Sequence, residues 1–160
     1  MPQTKPPHIY EIEKRVLGFV RTHNLFESGE RVTVAVSGGS DSMALLSLMR
    51  GLCDTYSLQL CAAHVNHGLR GTADADALWV REQCGKLRVP FEERRVRTAD
   101  LAEEPGVSLE AAAREVRLQA LAQMAGEFGA AKVALAHTRD DQAETVLMRL
   151  LRGAGPTGLQ

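Results

Sequence analysis

Strands and helices alternate along these 160 residues, and that alternation predicts an α/β fold: a doubly wound parallel sheet with helices on both faces. Two further observations point the same way. The apolar run Val32–Val36 passes into a glycine- and hydroxyl-rich turn, Ser37-Gly38-Gly39-Ser40-Asp41-Ser42, that opens a helix. Polar motifs follow the first, second and fourth expected strands, at Ser37–Ser42, His64–Arg70 and His137–Glu144. With right-handed crossovers a parallel sheet gathers all three at one rim, beyond the carboxyl ends of its strands, where such sheets bind ligands.

The elements are expected in this order. Residues 1–8 form a Pro-rich lead-in, and residues 9–160 the nucleotide-binding domain. From Ile9 to Phe26, Ile12, Val16, Phe19 and Val20 recur at helical spacing, and Ser28-Gly29-Glu30 closes that helix. A strand over 31–36 leads to a helix from Asp41 to Leu52, carried by Met43, Leu45, Leu46, Leu48 and Met49. A second strand covers Leu58–His64. A third helix runs from Ala73 to Leu87 with Thr72 as its cap. The strand Pro90–Val96 carries an early proline and four charges, which suits an edge. Ser108 caps a long helix to Phe128, with Leu109, Ala112, Val116, Ala120 and Met124 on one face. A fourth strand over Lys132–Ala136 and a last helix over Arg139–Leu151 complete the set.

Composition bounds the function. The net charge is −1, from 19 Lys+Arg against 20 Asp+Glu, so no basic surplus argues for nucleic acid. Cys53, Cys61 and Cys84 are scattered without a C-x-x-C pair, as expected for reduced, buried thiols in a cytoplasmic protein. No apolar run approaches a membrane span, and Met1–Pro7 lacks the apolar core of a signal peptide.

The turn at 37–42 carries the sharpest signal. A strand-to-helix junction leaves backbone N–H groups converging at the positive end of a helix dipole, and paired glycines let phosphate approach them. The alternative is a plain turn capped by Ser40 or Asp41. A Walker loop is excluded because no lysine stands between Lys14 and Lys86, and the dinucleotide fingerprint fails because Gly38 and Gly39 are adjacent with no third glycine following. At His137–Thr145, Thr138 and Asp141 have capping-box spacing. The functional reading gives His137 a phosphate contact and Asp141 a role with Mg²⁺ or a substrate ammonium. Glu110, Arg114 and Arg117 form one stripe, either a surface ion ladder or an arginine aimed at the rim. His64 and His67 do not make a zinc pair, since no Cys or third His is near. Arg70 is either a solvated loop residue or an RNA phosphate contact, and Arg88, Arg94, Arg95 and Arg97 are expected as a solvated face.

Ser37-Gly-Gly-Ser-Asp-Ser42 resembles the pyrophosphate (PP) loop of enzymes that split ATP between its α- and β-phosphates. Together with His64-Val-Asn-His-Gly-Leu-Arg-Gly71, Ser108-Leu-Glu-Ala-Ala-Ala-Arg-Glu-Val-Arg117, His137-x-x-Asp-Asp-Gln-Ala-Glu-Thr145 and Leu151-Arg-Gly-Ala-Gly155, it resembles the tRNA(Ile)-lysidine synthetase family. That resemblance implies a PP-loop, Rossmann-like sheet of the adenine nucleotide α-hydrolase type and a two-step ligation. ATP adenylates the C2 oxygen of the wobble cytidine in tRNA(Ile) with a CAU anticodon, and the ε-amine of free L-lysine then displaces AMP. It further implies that Ser37, Gly38, Gly39, Ser40, Asp41, Ser42 and His137 hold ATP, and that Asp41 and Asp141 serve Mg²⁺ and the lysine ammonium. Arg117 then meets developing charge. Leu118 stands where the family usually has tyrosine. The family also continues beyond its nucleotide domain into tRNA-reading domains, so the chain is expected to be an amino-terminal portion that binds ATP or AMP without modifying tRNA itself. The competing expectations are a sulfur-inserting tRNA enzyme, disfavoured by the missing C-x-x-C, and a non-catalytic nucleotide-binding module.

Overall fold

The computed structural model describes residues 6–66, 73–96 and 109–138, with side chains in the last segment described from residue 112. The elements are α1 (Pro7–Thr22), β1 (Arg31–Ala35), α2 (Ser40–Tyr56), β2 (Gln59–Asn66), α3 (Ala73–Lys86), β3 (Phe91–Arg95), α4 (Leu109–Phe128) and β4 (Lys132–Ala134). All four strands are parallel, in the order β3-β2-β1-β4. The direction of winding reverses at β1, whose neighbours β2 and β4 lie on opposite sides, so the switch point falls between β1 and β4.

Alternation along the strands divides the core in two. Val32, Val34, Leu60 and Ala62 face Leu46, Met49 and Leu52 of α2 and Val80 and Cys84 of α3, while Val20 of α1 joins from beside α2. Ala35 and Ala63 face the other way, against Leu121 and Met124 of α4. Val32, Val34, Leu46 and Val80 are fully buried, each contributing about 1.5 to 3 kcal/mol relative to exposure. Helices therefore cover both faces, and β3 occupies an edge, as the sequence predicts.

Several boundaries differ from expectation. α1 begins at Pro7, inside the expected lead-in, because a proline suits the first helical position, where no N–H is needed. It stops at Thr22 rather than Phe26 because Asn24 turns left-handed (φ 48°). Leu25 N–H then bonds Val20 O at 3.1 Å, and Asn24 N–H bonds Arg21 O at 3.3 Å. Arg88 (φ 55°) ends α3 with the same paired bonds, and Gly129 (φ 73°) ends α4. α2 runs on to Tyr56. β2 reaches Asn66, β3 starts at Phe91, and β4 stops at Ala134. The expected last helix and the caps at Thr72 and Ser108 lie outside the described residues.

The solvated face expected at the edge strand forms, with Arg88 and Arg95 exposed and Arg94 half-buried, while Arg97 lies outside the described residues; two of these side chains also carry ion pairs. The Arg94 guanidinium grips both carboxylate oxygens of Glu127 on α4, each at 2.8 Å, and Gln123 at 2.9 Å. Arg95 pairs with Asp74 of α3. Successive residues of a strand point to opposite faces, so these two neighbours fasten the edge to the helices on either side of the sheet.

Candidate functional site

At the rim, Gly38 takes φ +89°, and a side-chain carbon there would come within 3.3 Å of Val80 Cγ2 on α3. Gly39 follows in an extended conformation as the N-cap of α2, and no side chain caps it. The plain capped turn is therefore not what forms. The first backbone N–H groups of α2, on Ser40, Asp41 and Ser42, are left at the positive end of its dipole. Ser40 Oγ donates sideways to Asp41 Oδ1 at 3.3 Å instead of back to the helix.

Ser42 behaves differently from its neighbours. It is buried, and its hydroxyl donates to Gly39 O at 2.9 Å while accepting from Ser37 N–H and Ser37 Oγ, each at 3.1 Å. Gly39 N–H adds a longer bond to Ser37 Oγ at 3.4 Å. The Ser42 hydroxyl thus staples the loop from inside rather than offering itself to a ligand, which leaves its backbone N–H for that purpose.

Across the loop stand Arg117, the last residue of the α4 stripe, and the exit of β4. A cleft of about 230 Å³ is lined by Ala35, Ser37, Gly39, Ser40, Asp41, Ser42, Arg117, Ala136 and His137. Residues from β1, α2, α4 and the segment after β4 converge there, and the cleft lies at the switch point. Gly38 shapes the loop from behind without lining the cleft. Arg117 is half-buried, and no carboxylate among the described residues pairs with it. Burial, and next the neighbouring Arg114, push its pKa down, because both disfavour the guanidinium charge. An anion in the cleft would relieve both. Leu118 beside it is exposed, so the residue found where tyrosine was expected fills no core.

Other expected rim residues fall elsewhere. His64 is buried at the end of β2, with its ring stacked near Phe91, and does not line the cleft. Asn66, not singled out from the sequence, is buried at the same end and donates to Asp74 at 3.2 Å and Glu93 at 3.0 Å. A polar residue ending an apolar strand was the available signal for it. Asp141, Arg70 and His67 lie outside the described residues, as does the Glu110 side chain.

Among the described residues no group of three or more His, Cys, Asp or Glu side chains could hold a metal ion. Asp41 is the carboxylate lining the cleft. That fits Mg²⁺, which binds through one or two carboxylates together with phosphate oxygens, and does not suit zinc. All three cysteines are held as neutral thiols. Burial raises the pKa of Cys53 and Cys84 and carries Cys61 to about 11. Among the described residues no helix is long and apolar enough to cross a membrane.

A family model for the PP-loop domain matches residues 10–160. The tRNA(Ile)-lysidine synthase of Geobacter sulfurreducens is 48% identical over 148 residues, covering 91% of this chain and 31% of that protein. That of Symbiobacterium thermophilum is 46% identical over 146 residues, covering 91% and 30%. That of Clostridium acetobutylicum is 40% identical over 146 residues, covering 91% and 32%. The chain thus spans about a third of the length of these relatives. Among solved structures, the U34-tRNA thiolase NcsA from Methanococcus maripaludis, with its [4Fe-4S] cluster, superposes with a TM-score of 0.76. At 20% identity over 91% of this chain and 50% of that one, the likeness is one of fold.

Proposed function

This chain belongs to the PP-loop family, and on that premise we propose that its rim cleft holds ATP for the adenylation and lysine transfer that make lysidine in tRNA(Ile). The observation that carries the reading is the convergence on one cleft of an uncapped helix start, a glycine loop and a half-buried arginine that no carboxylate among the described residues pairs. In the first step the C2 oxygen of the wobble cytidine attacks the α-phosphorus, the α–β bridging bond breaks, and pyrophosphate leaves. In the second the ε-amine of free lysine attacks C2, the C2–O bond breaks, AMP leaves with that oxygen, and the amine loses a proton.

Each residue has a task in this scheme. The N–H groups of Ser40, Asp41 and Ser42 receive phosphate oxygens, and the loop at Ser37–Gly39 lets those oxygens approach. Arg117 and His137, from the opposite wall, meet the charge that grows as pyrophosphate departs. The Asp41 carboxylate, with Asp141 beyond the described residues, serves Mg²⁺ or the lysine ammonium. Bound Mg²⁺ would neutralise phosphate charge. The tRNA(Ile) with a CAU anticodon and free L-lysine are the proposed substrates.

Sulfur insertion is the weaker reading. It requires a reactive thiolate, whereas Cys61 and Cys84 are buried and all three thiols are raised in pKa. Calorimetry on the 160-residue chain should detect ATP or AMP binding, and a folded chain that binds neither would refute the nucleotide site. In the protein encoded by the whole gene, labelled lysine should enter tRNA(Ile), and Asp41→Asn or Arg117→Ala should abolish incorporation while leaving the circular dichroism unchanged. Normal incorporation by both variants would show that the rim residues are wrongly assigned.

A further inference from the structure

His64 sits behind the loop, outside the cleft, and nothing in the proposed chemistry uses it. Its Nδ1 lies 2.7 Å from the carbonyl oxygen of Val36, the residue just past the end of β1. A carbonyl only accepts, so Nδ1 carries the proton and donates. The ring is almost fully buried, so this bond has little competition from water.

The carbonyl of Val36 and the N–H of Ser37 belong to one peptide group. That group is planar and trans, so its oxygen and its hydrogen point in opposite directions, and fixing one fixes the other. The oxygen is held by His64, and the N–H is held by Ser42 Oγ at 3.1 Å. Ser42 Oγ in turn donates to Gly39 O at 2.9 Å, the carbonyl that also accepts from Met43 N–H at 3.1 Å as α2 begins. One chain of donors and acceptors therefore runs from β2, through the peptide that turns β1 into the loop, to the N-cap of α2. Meanwhile Val36 N–H makes an ordinary ladder bond to Ala63 O at 2.9 Å. The histidine thus takes hold at the point where the sheet's own bonding gives way to the loop.

We propose that His64 is a positioning residue for the phosphate loop: its Nδ1–H, through the Val36–Ser37 peptide and Ser42, sets the direction of the N–H groups that receive phosphate. This rests on reading the cleft as a phosphate site. A ring retained only to fill space would not need its donor. Phenylalanine keeps the ring and its packing against Phe91 but loses the donor, whereas asparagine places an amide N–H near the position of Nδ1.

The test compares wild type, His64→Phe and His64→Asn for binding of ATP and of adenosine by calorimetry, with amide exchange at Ser37 followed in the absence of nucleotide. Losing a bond to a buried carbonyl is expected to weaken ATP binding by roughly tenfold in His64→Phe. Adenosine binding should hold, and His64→Asn should recover most of the loss. Ser37 exchange should quicken in the phenylalanine variant and return toward wild type with asparagine. ATP affinity and Ser37 protection both unchanged in a folded His64→Phe would overturn the proposal. So would an equal loss for ATP and adenosine, which marks general loosening. Should the phenylalanine variant not fold, ¹⁵N spectra of the wild-type ring decide: protonation at Nδ1 supports the latch, and a ring protonated at Nε2 alone overturns it. Failure of wild type to bind ATP refutes the nucleotide reading instead, while Ser37 exchange still reports on the latch.

Discussion

Arg117 is costly to the free protein. A guanidinium half-withdrawn from water, without a carboxylate among the described residues and with Arg114 nearby, is held at the expense of stability. Such a group repays its desolvation only when an anion arrives. Replacing it with leucine should therefore leave thermal stability unchanged or raise it, while ATP binding weakens by about ten- to a hundredfold, the range of a lost charge-assisted bond. A thermal melt and a titration on the same sample check both halves. A melting temperature that falls along with affinity would mean that Arg117 supports the fold instead. At this scale much of the cleft was legible in the sequence. Ser37, Gly39, Ser40, Asp41, Arg117 and His137 were singled out from motifs and all line it. The work of Ser42 and His64 was not legible, because a motif records residue type and not the direction in which a hydroxyl or ring nitrogen points. Ser42 turns inward to the loop and His64 upward to Val36.

Among the elements, the loop between β1 and α2 depends on one backbone conformation. Gly38 combines φ +89° with close approach to Val80, and either alone would resist a side chain. Gly38→Ala should destabilise the chain by about 1 to 2 kcal/mol from left-handed strain alone. In a Val80→Ala background, which carries a core cost of its own, Gly38→Ala should cost as much as in wild type, since removing the neighbour does not remove the strain. Urea denaturation of both single variants and the double variant separates the two causes, and a smaller cost of Gly38→Ala in the Val80→Ala background would assign it to the clash. Helix ends show why boundaries were harder to read than element types. Asn24 and Gly129 are residues that accept positive φ, yet Arg88 does so as well, closing α3 with the same pair of bonds. Local residue preference cannot announce an arginine in that role. The following Val89 is buried, and that packing offsets the strain. Charges beside glutamates at the edge strand indicated a face in water, and Arg88 and Arg95 are exposed. The ion-pair partners of Arg94 and Arg95 could not be read, because Glu127 and Asp74 sit on helices distant in sequence.

Over the whole molecule, alternation and apolar runs were enough to predict a parallel sheet with helices on both faces, since both features follow from chain chemistry alone. Strand order was not in the residues; it emerges from which edges meet. At the end of the sheet opposite the cleft, Lys132 joins β4 to Glu30 at 2.8 Å and reaches Leu25 O at 2.8 Å. The hydrogen bond from Lys132, followed by that from Glu27 N–H, lowers the Glu30 pKa below its ordinary 4.5. The folded state then holds fewer protons there than the unfolded chain. Its stabilisation is present above pH 4.5 and is lost as pH falls through the lowered value. Glu30→Gln should flatten that acid limb in urea titrations at successive pH values, and an unchanged limb would exclude the pair as its source. Strand order also has a consequence in time. β1 lies between β2, made soon after it, and β4, made after every other described element. As the chain leaves the ribosome, the phosphate loop and its histidine latch can be finished while Arg117 and His137 are still unsynthesised. The wall that answers the loop arrives only once α4 has crossed the sheet, so tight nucleotide capture coincides with closure of the last described strand.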